Sequence, residues 1–434
     1  MPLPIISHTV ANGLSSIPYV YPIVKTATGI AAVSLLKRYF GGATNESERT
    51  MHSKVVMITG GTSGIGASIV HDLASRGAQI IILTQQPPTD PFLVDYIEDL
   101  RTSTHNSLIY AEQVDLSSLH SIRLFATKWV DNTPPRRLDM VILCGNTMTP
   151  PSSSKSRHTI DGLNMEWQVN YLANFHLLSI LSPALRAQPP DRDVRVIFAT
   201  CSSYIGAELD FETLEARTSE ISTSTAKPRA KKTQSSRTGS KQSSSGSSMY
   251  AASKLALMIF ARSFQSHLSN YNNINRSTNQ PARPTNSRVL VVDPGFSRTP
   301  GTRRWLTRGS LLGLFFYLLT WPIWWLILKS PQQGAQSFLL AAMEAGFSAV
   351  GQTEEDKKRR AVGIAGGTLI KECMERPILR DEVMDDKIAE KLWKFSQEQI
   401  EKTEKESALG RAMEKKRREK EEKKEKPVRS KKGK

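Results

Sequence analysis

The stretch "SMYAASKLA", Ser248 to Ala256, sets a phenol and an ammonium four residues apart with only small residues between them. On a helix these positions share a face, their Cβ atoms about 5–6 Å apart, so Tyr250 and Lys254 aim their polar ends into one space. A neighbouring ammonium favours the phenolate and draws a tyrosine pKa from about 10 toward neutrality, where it serves as a general acid or base. Ala251, Ala252 and Ser253 leave room for a substrate or cofactor. Alone, the pattern is common by chance, and its meaning depends on what surrounds it.

A second stretch supplies that context. "TGGTSGIG", Thr59 to Gly66, follows the apolar run "KVVMITG" and opens the periodic run "IGASIVHDLASRG", which reads as strand, glycine turn, helix. Gly60 permits the tight turn, Gly64 lets backbone approach a pyrophosphate, Gly66 allows close helix packing, and the helix N-terminus faces negative charge. Ser63 and Ile65 lie in the same turn.

The elements that must position these groups alternate along the chain. Strand patterns at "AQIIILT", "SLIYAEQVDL", "LDMVILCG", "VRVIFATC" and "SRVLVVDPG" are interleaved with helical patterns at "SLHSIRLFATKWV" and "NMEWQVNYLANFHLLSIL" and with the tyrosine helix. Such alternation predicts an α/β fold, a Rossmann-type doubly wound parallel sheet in a single domain with hydrophobic appendages. The domain is expected over residues 51–216 and 248–400, after an apolar N-terminal segment (1–50). A Ser/Lys-rich insert (217–247) is too poor in apolar residues to offset its ordering entropy. Residues 401–434 read as a charged tail, at best a solvated helix.

The net charge of +17 over 434 residues is concentrated in two of these segments: Ile221–Ser248 holds six basic and no acidic residues, and Glu401–Lys434 fifteen basic against eight acidic. The fold itself is nearly neutral, and neither segment interleaves aromatics for base stacking, so nucleic acid is not an expected partner. Three scattered cysteines without a CxxC spacing and eight single histidines predict neither a disulfide framework nor a metal site.

With its TGxxxGIG turn, strand order and YxxxK helix, the sequence resembles the short-chain dehydrogenase/reductase family from about Lys54 to Ser396. The resemblance implies that Tyr250 exchanges a proton with the substrate oxygen and that Lys254 lowers its pKa and binds the nicotinamide ribose. In "TCSSYIG" Ser203 aligns with the serine that hydrogen-bonds the substrate carbonyl, with Ser202 in its place if the register slips by one. "WQVNYLANF" implies Asn170 as support for a proton-relay water. Asp115 in "VDLSS" is similar to the residue that holds the adenine, and Pro294, Gly295 and Thr299 in "DPGFSRT" to the loop against the nicotinamide amide. The family's NNAG is replaced by "LCGN", Leu143 to Asn146. No acid stands at Thr84, Gln85 or Gln86, which removes a repulsion to a 2′-phosphate and favours NADP(H) over NAD(H).

After Thr299, Gly309 to Leu328 form twenty uncharged residues with three tryptophans. Length and hydrophobicity permit a transmembrane helix or a core helix, but Pro322 interrupts them, which reads as two short helices; their position resembles the family's mobile substrate-covering segment, which implies an apolar substrate lid or membrane-dipping segment (309–328) entering one leaflet. Leu14 to Leu36 is long enough to span a bilayer but carries Lys25 and two prolines, leaving membrane association, a packed docking arm and a cleaved targeting peptide open. "SPQQGAQSFLLAAME" and "KIAEKLWKFS" are similar to the retinol dehydrogenase-like branch. That likeness implies a lipophilic alcohol or carbonyl substrate (retinoid, sterol or long-chain aldehyde), the endoplasmic reticulum membrane or lipid droplet with the domain facing the cytosol, and admits a homodimer. The competing reading is a membrane-docked scaffold of the same fold that has lost turnover.

Overall fold

The computed structural model describes residues 20–150, 158–189, 191–212, 214–215, 245–274, 286–348 and 367–429. Most of the Ser/Lys-rich insert, residues 217–244, lies outside them. The chain enters through helix α1 (Val20–Gly41) and then alternates: β1 (Val55–Thr59), α2 (Gly64–Ser75), β2 (Gln79–Thr84), α3 (Pro91–Thr104), β3 (Ile109–Gln113), α4 (Leu119–Val130), β4 (Met140–Leu143). A helical turn Met165–Trp167 passes through a π-helical turn Gln168–Leu172 into α5 (Ala173–Arg186), followed by β5 (Val194–Ala199) and a 3₁₀ turn Ser202–Gly206. Then come α6 (Ser245–Ile274), β6 (Ser287–Asp293), α7 (Pro300–Leu306), α8 (Leu311–Leu319), α9 (Trp321–Ile327), α10 (Pro331–Met343), β7 (Thr368–Lys371), β8 (Met374–Arg376) and α11 (Asp386–Arg429).

The expected doubly wound sheet is present, in the order β3-β2-β1-β4-β5-β6-β7-β8. β1 to β7 pair in parallel and β8 returns antiparallel. β7 and β8 have no counterpart among the strands read from the sequence. β1 is buried along its whole length, as a strand covered on both faces must be. One face packs Ile69, Val70, Leu93, Phe338 and Leu339 from α2, α3 and α10; the other packs Ile122, Phe175, Phe260 and Leu392 from α4, α5, α6 and α11.

Helix boundaries follow local chemistry. Asp90 accepts the Leu93 N–H at the start of α3 with Pro91 beside it, and Ser330 and Gln333 form a capping box on α10. Arg195 of β5 is fully buried; it is forked onto Asp193 (3.0 and 2.7 Å) and donates to the carbonyls of Ala341 (2.7 Å) and Glu344 (2.8 Å), fastening α10 to the sheet.

α11 runs unbroken through position 400, where the sequence places the start of a charged tail. Leu392, Ile400 and Thr403 are buried, whereas Leu409 and Met413 are exposed. Among the described residues no helix is long and apolar enough to cross a membrane.

Candidate active site

Because the strand order reverses at β1, its two neighbours β2 and β4 leave a crevice at their carboxyl ends, where open α/β sheets bind ligands. The glycine turn lies there. Gly60 (φ 70°) and Gly64 (φ 59°) occupy the left-handed region; a Cβ on Gly66 would fall 2.2 Å from the Gly60 carbonyl oxygen and one on Gly60 2.9 Å from the Gly145 nitrogen. Thr59 Oγ1 accepts the Gly145 N–H at 3.0 Å, so the backbone of the departing "LCGN" segment is still tied to β1. Ser63 precedes α2 without making a side-chain cap bond. A turn with no room for a Cβ at Gly60 and Gly66, at the mouth of a twelve-residue helix, fits a dinucleotide pyrophosphate.

The other cofactor candidates are distributed around this turn. A Cβ on Gly64 would touch the Thr299 methyl at 3.3 Å, which brings the loop after β6 against the glycines. Gly295 (φ 74°), after Pro294, donates to Asp293 Oδ1 at 2.9 Å, and Thr299 caps α7. Ile65 is directed at α10, where a Cβ on Gly334 would meet it at 3.2 Å. The Asp115 carboxylate is engaged by Ser117 N–H (2.8 Å) and Oγ (2.7 Å) and by Gln85 Nε2 (3.3 Å). The end of β2 thus meets the adenine candidate through Gln85.

Tyr250 and Lys254 share a face of α6. Lys254 is 3% exposed, donates from Nζ to the Ala199 carbonyl at 3.1 Å, and lies 5.7 Å over the Tyr250 ring. This geometry corrects the expected acidification of the phenol. Burial, reinforced by Cys201, raises the Tyr250 pKa well above its ordinary value, while an Asn146 hydrogen bond opposes the rise. Burial lowers that of Lys254, against the pull of Cys201, Cys144 and Asp293. The ammonium is turned to a carbonyl and the ring face instead of to the phenol oxygen.

Asn170 lies in the π-helical turn, a bulge type common at functional sites. Its Oδ1 accepts the Thr147 N–H (2.8 Å) and its Nδ2 donates to the Thr147 carbonyl (2.9 Å) and Ser253 Oγ (3.3 Å). It thereby pins the loop whose preceding residue, Asn146, donates from Nδ2 to Tyr250 OH at 3.3 Å.

The serines after β5 stand differently from the sequence expectation. Ser203 Oγ lies 2.9 Å from Cys201 Sγ, and Cys201 Sγ lies 3.5 Å from Tyr250 OH. Ser202 Oγ donates to Asp293 Oδ2 (2.7 Å) and accepts from Lys371 Nζ (2.8 Å). The structure therefore brings together Tyr250, Lys254 and Asn170, and links Ser203 to the phenol through the Cys201 thiol. Cys201, Asn146 and Lys371 are not among the site residues expected from the sequence; the "TCSS" run signals a polar turn there without saying which member faces the phenol.

Beside the site, α8 and α9 meet at Thr320, which receives Trp324 Nε1 at 2.7 Å. A groove of about 360 Å³ between them is lined by Arg308, Leu312, Phe316, Tyr317 and Trp324, among others. α1 packs on α9, where Lys37 Nζ donates to the carbonyls of Trp325 (2.5 Å) and Leu328 (3.0 Å).

Comparison with known proteins agrees with this architecture. The short chain dehydrogenase family model matches residues 54–206. An uncharacterised oxidoreductase of Schizosaccharomyces pombe is 37% identical over 93% of this chain and 97% of its own. Human retinol dehydrogenase 13 is 27% identical over 86% and 93%, and human polyprenol dehydrogenase 28% identical over 75% and 84%. A crystal structure of an uncharacterised protein from Mycobacterium paratuberculosis shares the fold with a TM-score of 0.51 at 20% identity, covering 83% of this chain and 98% of that one. The chain belongs to the short-chain dehydrogenase/reductase family, in its retinol dehydrogenase-like branch, and is an oxidoreductase acting on CH–OH groups with a nicotinamide dinucleotide.

Proposed function

We propose that the chain interconverts a lipophilic alcohol and its carbonyl with NADP(H), working at an endoplasmic reticulum membrane or lipid-droplet surface with its domain toward the cytosol. The observation that carries this reading is the placement of the glycine turn after β1 and of Tyr250 and Lys254 at the end of β5, where Lys254 Nζ donates to the Ala199 carbonyl, with the apolar helices α8 and α9 following the loop after β6.

When bound, the dinucleotide supplies or takes up the hydride at its nicotinamide ring. Thr59, Gly60, Ser63, Gly64 and Gly66 hold the pyrophosphate end, Lys254 the ribose, and Pro294, Gly295 and Thr299 close the opposite wall. Tyr250 donates its proton to the carbonyl oxygen in reduction. Its raised pKa keeps it protonated at neutral pH, the state that this direction requires. Asn170 fixes Thr147 and so holds Asn146 at the phenol.

NADP(H) preference is supported by the uncharged Thr84, Gln85 and Gln86 at the end of β2, together with an Asp115 carboxylate held by Ser117. The lipophilic substrate is supported by the lid: Leu311 is 86% exposed and Phe315 62%, an apolar surface that water does not favour. The names of two relatives, a retinol and a polyprenol dehydrogenase, point the same way.

The test is fluorescence titration of the detergent-solubilised chain with NADPH and NADH, with Gly64→Trp as control, followed by turnover of decanal. Saturable NADPH binding lost in the control, with NADH weaker and decanal reduced, is the expected result. Binding of neither nucleotide overturns it.

A further inference from the structure

The loop after β4 passes the phenol at Asn146, and two side chains of the turn before α5 hold it there. Asn170 takes both backbone groups of Thr147 (2.8 and 2.9 Å). Glu166, four residues earlier and 2% exposed, accepts the Thr149 N–H at 2.5 Å and is met by the Thr149 hydroxyl and the Tyr250 backbone N–H. One carboxylate thus spans the loop and the helix that carries the phenol. Its own place is fixed: Asn164 accepts the Glu166 N–H (2.9 Å), and the next residue, Trp167, donates from Nε1 to Gln399 of α11 (2.9 Å). Burying a carboxylate is costly unless donors converge on it, and burial raises the Glu166 pKa. A neutral acceptor would hold the Thr149 N–H without that cost, so the charge calls for a second reason.

We propose that Glu166 is a positioning residue for the reaction, holding Tyr250 and the Asn146 loop in one frame and keeping negative charge beside the phenol. This rests on the reading of Tyr250 as proton donor. At one end of the loop Asn146 donates to Tyr250 OH at 3.3 Å; at the other, Pro150 reaches the residues before α8, where a Cβ on Gly309 would lie 3.6 Å from its ring. Thr149, which Glu166 holds, is next to that end. The charge acts in the direction that reduction requires, because a carboxylate disfavours a phenolate near it. Burial does most to raise the Tyr250 pKa, Cys201 adds to it, and so does Glu166. The phenol is faced by Cys201 after β5, Asn146 after β4, Lys254 on its own helix and Glu166. Cys144 and Asp293, the latter paired with Lys371, act on Lys254. Glu166 is the member of this set that also bonds the phenol's own backbone.

The experiment uses the full chain in detergent with NADPH and decanal, and follows kcat and KM against pH. Glu166→Gln keeps an acceptor for Thr149 and removes the charge. Its kcat should fall no more than a few-fold near neutral pH, while the alkaline limb, where the phenol loses its proton, moves about half to one unit lower. Glu166→Ala removes acceptor and charge together, and kcat should drop about 10- to 100-fold at every pH, with KM for decanal and NADPH affinity near wild type. Where the alanine variant does not fold, the glutamine variant carries the test. A readout that needs no substrate is the alkaline ultraviolet titration of the phenolate, taken as the difference between each protein and its own Tyr250→Phe counterpart. Its midpoint should be lower in Glu166→Gln by the same amount.

An alkaline limb and a phenolate midpoint that glutamine leaves in place overturn the proposal and reduce Glu166 to an anchor for Thr149. A Tyr250→Phe chain that still reduces decanal overturns instead the proton-donor reading on which the proposal rests. A wild type that binds NADPH but reduces no decanal overturns the substrate reading alone, and the phenolate midpoint then decides for or against Glu166.

Discussion

Strand β5, apart from Arg195, and helix α8 are both written in apolar residues, and the fold treats them in opposite ways. β5, VRVIFA, is buried at every position but its last. α8, LLGLFFYLL, buries only Tyr317. Composition alone does not distinguish them; neighbours do. β5 lies between β4 and β6 with helices over both faces, so its Val, Ile and Phe side chains leave water on folding, each worth about 1.5–3 kcal/mol. The described fold offers α8 no such cover, which leaves its apolar side chains available to a lipid or a substrate. The first region predicts losses of stability or turnover when altered, the second losses of partition at constant stability.

The largest effect is expected at the edge of the buried region, where the chemistry is held. Tyr250→Phe removes the exchangeable proton while keeping the ring against Lys254, and turnover of decanal should fall about 10²- to 10⁴-fold. NADPH affinity by titration and the unfolding midpoint should stay near wild type. A mutant that keeps its activity removes Tyr250 from the mechanism.

Inside the core, Phe260 has ring neighbours on three elements: Phe175 at 4.9 Å, Trp393 at 5.7 Å and Phe198 at 5.9 Å. Phe260→Ala should destabilise by about 3–5 kcal/mol, read as a shift of the denaturation midpoint. A change near zero would mean that α6 and α11 do not share one core.

A smaller, pH-dependent effect is expected where α11 meets α4 and α5. His176 is buried with Nε2 unpaired, 3.4 Å from Glu404, and burial and Arg123 push its pKa down to about 4. A histidine depressed in the folded state stays neutral there, while the unfolded chain takes up a proton below about 6.5. The contribution is therefore present above pH 6.5 and is lost as pH falls toward 4, on the order of 3 kcal/mol. His176→Gln should flatten the stability profile over that window, and an unchanged profile would assign the acid response to other groups.

How far these features can be read in the sequence differs by region. The glycine turn and six of the strands announce themselves, because a run of apolar residues bounded on both sides by turn signals is too short for a core helix and fits a buried strand. β7 and β8, TLIK and MER, are too short and too polar for that pattern. In the site, Tyr250, Lys254 and Asn170 are legible because helical spacing fixes their direction. Cys201 is not, since the facing residue in "TCSS" depends on where the strand gives way to the 3₁₀ turn. The phenol pKa escapes the sequence for a related reason: spacing reports that an ammonium is near, and cannot report that it is turned to Ala199.

The exposed region yields the smallest effect on the fold and the sharpest contrast with β5. Leu311, Phe315 and Leu319 recur every four residues on α8 and are 86%, 62% and 67% exposed, so they form one stripe. Replacing all three by serine removes apolar area that the folded chain leaves in water, and the unfolding midpoint should hardly move. Flotation with phosphatidylcholine vesicles should drop by about tenfold or more, each lost contact weakening partition. Arg303, Arg304 and Arg308 precede the stripe, so phosphatidylserine should strengthen wild-type binding and salt should weaken that increment. If the triple variant floats as well as the wild type, α1 is the anchor instead, through exposed Tyr21, Ile30 and Leu35. If its midpoint falls by several degrees, α8 is covered by the fold, and the contrast with β5 disappears.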